Sequence, residues 1–196
     1  MNLNNPALEI INRQVPLSKG LVKGIGVAAF VVLTFLGAYV RIPLAFTPVP
    51  VTLQTFFVLL SGAMLGRKLG ALSQTAYIIL GSMGLNIFAA AGGGIFYLLG
   101  PTGGYLIGFV IAAYTVGWII GKRNEPALIW IILAMTAGSL IIYLLGAAWL
   151  ALIIRLGFSK AFILGVLPFV AGDSLKLITA AMIFYRFRAK LTGVFS

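Results

Sequence analysis

The sequence predicts an all-α polytopic membrane protein with six transmembrane helices, cytoplasmic N- and C-termini, and irregular outer loops that cap a ligand site. Of its 196 residues, 61% are hydrophobic and 9% are charged, whereas about a quarter are charged in an ordinary soluble domain. Several apolar runs reach the roughly 20 residues that a helix needs to cross the hydrocarbon core. A transmembrane barrel is excluded, because runs such as 127–154 do not alternate apolar with polar residues.

Hydrophobic runs and helix-ending residues divide the chain into its elements. Residues 1–19 form a polar N-terminal segment that lacks the ordered regions of a cleaved signal peptide. Residues 20–196 form a single six-helix transmembrane domain. The predicted spans are Gly20–Val40, Thr52–Gly66, Leu69–Gly84, Thr102–Gly121, Pro126–Ile154 and Phe162–Tyr185. The second is short for a full crossing, at about 15 residues, and the fifth must tilt or protrude.

The basic residues predict the orientation of these spans. With both termini in the cytoplasm, ten Lys and Arg lie inside and three outside, a strong positive-inside asymmetry. The inner residues are Arg13, Lys19, Lys23, Arg67, Lys68, Lys122, Arg123, Arg186, Arg188 and Lys190, and the outer ones are Arg41, Arg155 and Lys160. The net charge of +11 therefore indicates a lipid bilayer as the partner. Basic residues scattered between apolar segments do not predict nucleic-acid binding.

The composition also excludes most enzyme chemistry. The chain has no Cys and no His, so thiolate nucleophiles, imidazole bases, disulfides and Cys/His zinc sites are absent. Its three acids are Glu9, Glu125 and Asp173. No phosphate-binding loop with the required Lys and Ser/Thr occurs, so active transport would take its energy from partner subunits or an ion gradient. We expect no catalytic residue, no metal and no cofactor.

Two predicted outer loops are unlike ordinary connectors. Residues 41–50 carry three prolines, which forbid a helix and favour a stiff, extended path that can reach across the protein. Residues 84–104 are too apolar for water and too rich in glycine for a stable span. Irregular backbone near membrane depth requires a cavity or surrounding protein to satisfy its polar groups. We therefore expect this second loop to line or cap a ligand cavity.

Asp173 and Lys176 are the strongest candidates for binding chemistry. Their spacing of three places both on one face of the last span, where ionisable groups are costly unless paired or hydrated. The pair either fixes helix packing alone or forms part of a ligand site. As a ligand site, the carboxylate would accept two N–H bonds while the ammonium donates to an oxygen, which suits an amide-like or urea-like head group.

Further candidates lie in the two loops. The Asn86 amide could read the same kind of head group, or it could be a turn residue that bonds its own backbone. Phe88, Phe96 and Tyr97 could wall an apolar pocket or anchor the chain at the membrane interface. Arg41 could attract an anionic tail of the ligand or act only as a determinant of topology.

The first helix carries a stripe of small residues, Gly20, Gly24 and Ala28. Small residues at a spacing of four allow another helix to approach closely. The stripe could therefore serve internal packing or the docking of a partner subunit.

Several longer motifs resemble one known family. Between residues 48 and 109 the chain contains Pro-Val-Pro-Val-Thr-Leu-Gln-Thr, Leu-Ser-Gly-Ala-Met-Leu-Gly-Arg-Lys-Leu-Gly-Ala, Gly-Leu-Asn-Ile-Phe, and Gly-Gly-Gly followed by Leu-Leu-Gly-Pro-Thr-Gly-Gly-Tyr-Leu-Ile-Gly-Phe. Near the C-terminus it contains Pro-Phe-Val-Ala-Gly-Asp-Ser-Leu-Lys. Together these motifs resemble the BioY family, the biotin-specific S components of energy-coupling factor (ECF) transporters. The first 19 residues are outside the resemblance.

The resemblance implies a multi-pass subunit in the cell membrane of a prokaryote that binds biotin at the outer face. It implies docking onto a transmembrane coupling subunit with two cytoplasmic ATPases. The stripe is similar in character to the alanine-rich docking motif of S components, but has glycine at two positions. The alternative from the residues alone is an ion-coupled carrier or a membrane enzyme, and both would need more ionisable residues in the spans.

The resemblance also implies roles for individual residues. Asn86, Asp173 and Lys176 match the positions expected to read the ureido head of biotin. The loop aromatics Phe88 and Tyr97 and the loop glycines, Gly93 among them, would enclose its rings. Either Lys176 or Arg41 would meet the valerate carboxylate.

Overall fold

The chain, described here from a computed structural model, is a mostly helical membrane protein. The structure describes residues 18–155 and 157–191, so the predicted N-terminal segment lies outside it up to residue 17. The helices are α1 (Lys19–Tyr39), α2 (Gln54–Ser82), α3 (Ile95–Leu98), α4 (Gly103–Ile120), α5 (Leu128–Ile153), α6 (Phe158–Gly165) and α7 (Leu167–Leu191), with a short 3₁₀ turn at Ala89–Ala91. Five of those in the described ranges are long and apolar enough to cross a membrane: α1, α2, α4, α5 and α7.

Helix α1 confirms the first predicted span to within a residue at each end. The side chain of Ser18 caps it by accepting a hydrogen bond of 3.2 Å from the backbone N–H of Leu21, which satisfies one of the free donors of a helix start. Beyond Tyr39 the chain leaves the helix and enters a strand.

Helix α2 is a hairpin of two limbs and not one straight helix. Gly66 lies inside it with φ +77° and ψ 177°, a backbone conformation that favours glycine. The Gln54 amide donates a hydrogen bond of 2.8 Å to the Tyr77 hydroxyl. In a straight helix these residues would be about 35 Å apart, so the limbs before and after Gly66 lie antiparallel against each other.

The limbs correspond to the second and third predicted spans. The expected loop between the two spans is reduced to a turn at Gly66. The limbs pack very closely, because a Cβ atom at Gly70 would lie 2.8 Å from the Cα of Gly62. On its other side, a Cβ at Gly62 would lie 2.3 Å from the carbonyl oxygen of Ala113 in α4. Small residues thus bring three helical segments together.

The proline-rich segment forms a β-hairpin. Strand β1 (Arg41–Ile42) pairs antiparallel with β2 (Val51–Thr52). The prediction of an extended, non-helical path is confirmed, but the expectation that it reaches across the protein is wrong. The paired strands return the chain to its starting point, and the Leu53 N–H bonds the carbonyl oxygens of Gly37 and Val40. We refer to the end of the helices that carries this hairpin as the hairpin end.

The last predicted span is broken in the structure. Residues 158–165 form the separate helix α6, and α7 begins at Leu167. Pro168 explains the position of the break, because proline has no N–H and fits the first turn of a helix. The start predicted at Phe162 is therefore wrong. As a result, Asp173 lies in the second turn of α7, close to the hairpin end and not in the middle of a span.

Two clusters of buried apolar residues form the core. One packs the middle of α1, α2, α4, α5 and α7 around Met135 and Phe184. The other lies beneath the hairpin and the glycine-rich loop, where Phe88, Tyr105 and Phe169 come together. This second cluster supports the floor of the site described next.

Candidate ligand-binding site

A narrow cavity opens beneath the hairpin and the glycine-rich loop. Val49 and Pro50 line it from the hairpin, Ala89 and Tyr97 from the loop, and residues of α2, α4, α5 and α7 complete the walls. Its volume is about 50 Å³, which is room for only a few waters. A ligand with rings must therefore displace side chains or move the loops that cover the cavity.

Asp173 is the charged group in the wall of this cavity, and it is 9% exposed. Its Oδ1 accepts hydrogen bonds from the Thr55 hydroxyl at 3.2 Å and from Lys176 Nζ at 2.7 Å. Its Oδ2 accepts one from the Tyr143 hydroxyl at 2.7 Å. The predicted ion pair therefore forms and is joined by two hydroxyl groups from α2 and α5.

These bonds limit what Asp173 can accept from a ligand. A carboxylate offers about four lone-pair positions, and the three bonds to Thr55, Lys176 and Tyr143 occupy three of them. One position on Oδ2 is left for a ligand N–H, where the sequence alone suggested two. Thr55, Tyr143 and Lys176 all donate to the carboxylate, so they stabilise its charge and orient its open position.

Lys176 lies behind the cavity and not in its wall. Its Nζ also donates a 2.7 Å hydrogen bond to the carbonyl oxygen of Thr52 in β2. Lys176 thus ties the start of α7 to the hairpin and holds Asp173 at the same time. Lys176 therefore contributes to packing, and a role of the pair in ligand binding stays a prediction.

A second polar group in the cavity wall is Gln54, which is 4% exposed. Its amide donates to the Tyr77 hydroxyl, and that hydroxyl donates to the carbonyl oxygen of Ile87 at 2.8 Å. The Gln54 Oε1 accepts from the Thr52 hydroxyl at 3.1 Å. This chain of bonds joins the hairpin, both limbs of α2 and the glycine-rich loop around the cavity.

The predicted site residues of the glycine-rich loop do not all lie at the cavity. Tyr97 lines the cavity, and burial raises the pKa of its phenol, which keeps it neutral. Phe88 is fully buried behind Tyr97, with ring centroids 5.0 Å apart. Gly93 leaves no room for a side chain, because a Cβ would lie 2.5 Å from the carbonyl oxygen of Leu85. Asn86 is exposed, and its side chain is not in the cavity wall.

Arg41 lies in a vestibule outside the cavity. This wider space, of about 380 Å³, shares Pro50, Tyr97 and Thr102 with the cavity wall. Phe96 also borders the vestibule and is 85% exposed. The structure therefore brings Asp173 and Tyr97 to the cavity and Arg41 to its entrance.

The small-residue stripe of α1 faces outward. Gly20, Gly24 and Ala28 are all exposed, and a Cβ atom at either glycine would meet nothing within 4 Å. The stripe is not used for internal packing within the described residues.

Four residues in the wall were not predicted from the sequence: Gln54, Thr55, Tyr143 and Phe169. One signal for Tyr143 was available, because it is the single tyrosine in the apolar helix α5, and a buried phenol needs a hydrogen-bond partner. Gln54 and Thr55 end the Thr-Leu-Gln-Thr motif, which follows a proline-rich segment and begins a helix.

Comparison with known proteins identifies the family. The BioY family model matches residues 13–193. "Probable biotin transporter BioY" of Pyrococcus horikoshii is 49% identical over 157 residues, which is 80% of this chain and 90% of that protein. "Biotin transporter BioY" of Thermotoga maritima is 43% identical over 159 residues, 81% of this chain and 91% of that protein.

A solved structure has the same fold. The crystal structure of the S-component for biotin from an ECF-type ABC transporter superposes with a TM-score of 0.80. The superposition covers 96% of this chain and 95% of that one at 24% identity. The family match and the two curated relatives agree with this fold, and we conclude that the chain belongs to the BioY family.

Proposed function

We propose that the chain is the biotin-binding S component of an ECF-type vitamin uptake transporter, and not an enzyme. Its relatives are biotin transporters, and the fold is that of a biotin S component. One structural observation supports this assignment on chemical grounds. A carboxylate held by three donors keeps one acceptor position at a cavity whose other walls are mostly apolar.

Biotin fits this arrangement group by group. A ureido N–H would donate to Oδ2 of Asp173. The Gln54 amide uses one of its two N–H groups on Tyr77, so its second can donate to the ureido carbonyl oxygen. The apolar thiophane ring and chain would contact Tyr97 and Phe169 in the wall.

Arg41 is the best candidate for binding the valerate carboxylate. Lys176 is engaged by Asp173 and the Thr52 carbonyl oxygen, whereas Arg41 borders the vestibule through which the tail would point. A guanidinium suits a carboxylate because its fork can donate two parallel hydrogen bonds.

Asn86 would join the head group through a movement of the glycine-rich loop. The loop is held by a bond of 3.1 Å from the Tyr39 hydroxyl to the Asn86 carbonyl oxygen and by the bond from Tyr77 to Ile87. The cavity is narrow, and we expect ligand entry to shift this covering segment. We expect Asn86→Ala to weaken biotin binding, and unchanged affinity would remove Asn86 from the site.

The proposed topology has six crossings within one domain of residues 20–196, with both termini in the cytoplasm and the hairpin end outside. The two limbs of α2 supply the sixth span, and Arg67 and Lys68 follow the Gly66 turn, as the positive-inside rule expects. The chain has no cysteine, so single-cysteine variants report topology directly. In intact cells, an impermeant maleimide should label Lys160→Cys and spare Arg67→Cys, and the reverse pattern would overturn the orientation.

The exposed stripe Gly20, Gly24 and Ala28 would dock onto a transmembrane coupling subunit that carries two cytoplasmic ATPases. Gly24→Leu should keep biotin affinity and lower ATP-driven uptake about tenfold or more, because a bulky side chain prevents close helix approach. Ala29→Leu, on a neighbouring face of α1, is the matched control. Loss of biotin binding by Gly24→Leu would instead assign the stripe to packing.

Calorimetric titration of the purified protein tests the function. Biotin should bind tightly and saturably without nucleotide or sodium, and riboflavin and thiamine should not bind. If a folded sample does not bind biotin, the assignment is overturned. If binding depends on sodium, the chain is an ion-coupled carrier instead.

A further inference from the structure

The vestibule outside the cavity is large enough to be a ligand site of its own. Its volume is about 380 Å³, and small-molecule sites in proteins range from roughly 300 to 1,000 Å³. The carboxylate at the end of the biotin tail, which we assign to Arg41, is a small group that cannot fill this space. The proposed function therefore leaves most of the vestibule without an occupant.

The vestibule adjoins the cavity at the end that is opposite to the head-group site. The two spaces share Pro50, Tyr97 and Thr102 as wall residues. Gln54 and Asp173, which we assign to the ureido head, line the cavity and do not line the vestibule. A ligand whose head group bonds these two residues can therefore extend its tail past the shared wall and into the vestibule.

The walls of the vestibule are stiff and suit neutral or anionic groups. They include Pro43, Pro48, Pro50 and Pro101, and the ring of each proline fixes its φ angle. Arg41 is the single charged residue among the described residues that line this space, so no carboxylate of those residues repels an anion. A chain that is uncharged, or that carries a carboxylate, can therefore occupy the vestibule.

The chemistry of the biotin tail allows it to be extended there. An amide in place of the valerate carboxylate loses the negative charge but keeps a carbonyl oxygen that accepts hydrogen bonds. The ureido head lies at the other end of the ligand, so its bonds are unchanged. The loss is limited to the ion pair with Arg41, which is up to about fivefold in affinity. The group that the amide nitrogen carries then lies in the vestibule.

We propose that the chain binds amide-linked conjugates of biotin as well as free biotin, and that an amino acid or short peptide on the amide nitrogen lies in the vestibule. This inference rests on the proposed function and extends its substrate class. A conjugate that has an α-carboxylate supplies a new anion, which can pair with Arg41 in place of the valerate carboxylate.

Calorimetric titration of the purified wild type with biotin and with biotinyl-lysine tests the proposal. In biotinyl-lysine, an amide joins the valerate group to the side-chain nitrogen of lysine. Its affinity should be lower than that of biotin by no more than about tenfold. If biotin binds tightly and biotinyl-lysine binds more weakly than this, the inference is wrong and the proposed function stands. If a folded sample binds neither ligand, the proposed function is wrong as well.

Two neighbouring alanines test whether the added group lies in the vestibule. Ala90 and Ala91 are both exposed and have positive φ angles of 62° and 54°, but Ala90 lines the vestibule and Ala91 does not. Ala90→Phe should weaken the binding of biotinyl-lysine about tenfold relative to that of biotin. The matched control, Ala91→Phe, should keep the wild-type ratio of the two affinities. A wild-type ratio in folded Ala90→Phe would overturn the proposal.

A second pair of variants approaches the same space from the hairpin. Leu44 lines the vestibule and Ala45, the next residue, does not. Leu44→Trp should therefore weaken biotinyl-lysine relative to biotin about tenfold, and Ala45→Trp should keep the wild-type ratio. This pair decides the question if the turn at Ala90 and Ala91 does not fold with a phenyl ring. Thermal unfolding checks that each variant is folded, and equal ratios for Leu44→Trp and Ala45→Trp would contradict the proposal.

Discussion

One polar cluster is buried among the helices away from the cavity and another lies beside it, and only the second belongs to the proposed site. In the first, the Gln74 amide nitrogen lies 3.2–3.3 Å from the hydroxyl oxygens of Thr34, Ser61 and Ser73, which share its two N–H donors. All four of these residues are fully buried. In the second, Asp173 receives its three donors beside the cavity.

The clusters differ in charge and in whether a hydrogen-bond acceptor position remains unfilled. Each hydroxyl around Gln74 also donates to a carbonyl oxygen of its own helix, at 2.7 Å, and the cluster is neutral and outside the cavity wall. It joins α1 to both limbs of α2. Asp173 is charged and keeps an acceptor position that faces the cavity. We therefore expect a charge with an unfilled acceptor position at a cavity, and not the burial of polar groups alone, to mark the binding site.

Asp173→Asn should have the largest effect on binding. The change removes the charge, leaves Lys176 without its counterion and weakens the bond to the ligand N–H. Hydrogen bonds to charged groups contribute about 1.5–3 kcal/mol, so we expect biotin affinity to fall about 100-fold. Calorimetry measures the affinity, and tryptophan fluorescence on heating checks folding. If a folded variant retained its biotin affinity, the proposed role of Asp173 in binding the ligand would be wrong.

Tyr143→Phe should have a smaller effect. The phenyl ring still fills its place in the cavity wall, but Oδ2 of Asp173 loses its donor from the chain and is less well oriented. We expect biotin affinity to fall about tenfold. Tyr114→Phe is the matched control, because Tyr114 is an exposed tyrosine of α4 that does not line the cavity. Equal affinities of the two variants would contradict the role of Tyr143.

Arg41→Gln should affect only ligands with a free carboxylate. An ion pair at a partly exposed site contributes up to about 1 kcal/mol, so biotin should bind up to about fivefold more weakly. Biotin amide, which lacks the charge, should bind the variant and the wild type equally. Lys160→Gln controls for the loss of an outer positive charge. An equal loss for both ligands would show that Arg41 supports the loop and not the tail.

Gln74→Leu should change binding least. Its hydroxyl partners keep their bonds to backbone carbonyl oxygens, so the loss is limited to the bonds of the amide. We expect the free energy of unfolding to fall by about 1–2 kcal/mol and biotin affinity to stay within about twofold. Thermal unfolding and calorimetry measure the two quantities. A tenfold loss of affinity without unfolding would remove the distinction between the two clusters.

The sequence predicted the features that stand out against an apolar background. Gly66-Arg67-Lys68 interrupts two hydrophobic runs, so the turn in α2 was visible, and Asp173 and Lys176 were conspicuous as charges within a span. The break before α7 was not visible, because the run from Phe162 onward is apolar throughout and Pro168 is compatible with a helix start. The start predicted for the last span was wrong for that reason.

The polar neighbours of Asp173 could not be predicted from the sequence, for a different reason. Thr55 is 118 residues away and Tyr143 is 30 residues away in the chain. Their meeting depends on the packing of α2 and α5 against α7, which no local pattern encodes. Periodicity identifies the faces of a helix, but it does not determine which helices become neighbours.

A coupling cycle between protein and ligand tests the central claim most directly. Wild type and Asp173→Asn are each titrated with biotin and with biotin that carries a methyl group on a ureido nitrogen. Two changes to one interaction are not additive. If Oδ2 of Asp173 accepts the ureido N–H, methylation should weaken binding to the wild type strongly and to Asp173→Asn far less. Equal penalties in both proteins would show that Asp173 does not contact the ureido head, which would contradict this account of the site.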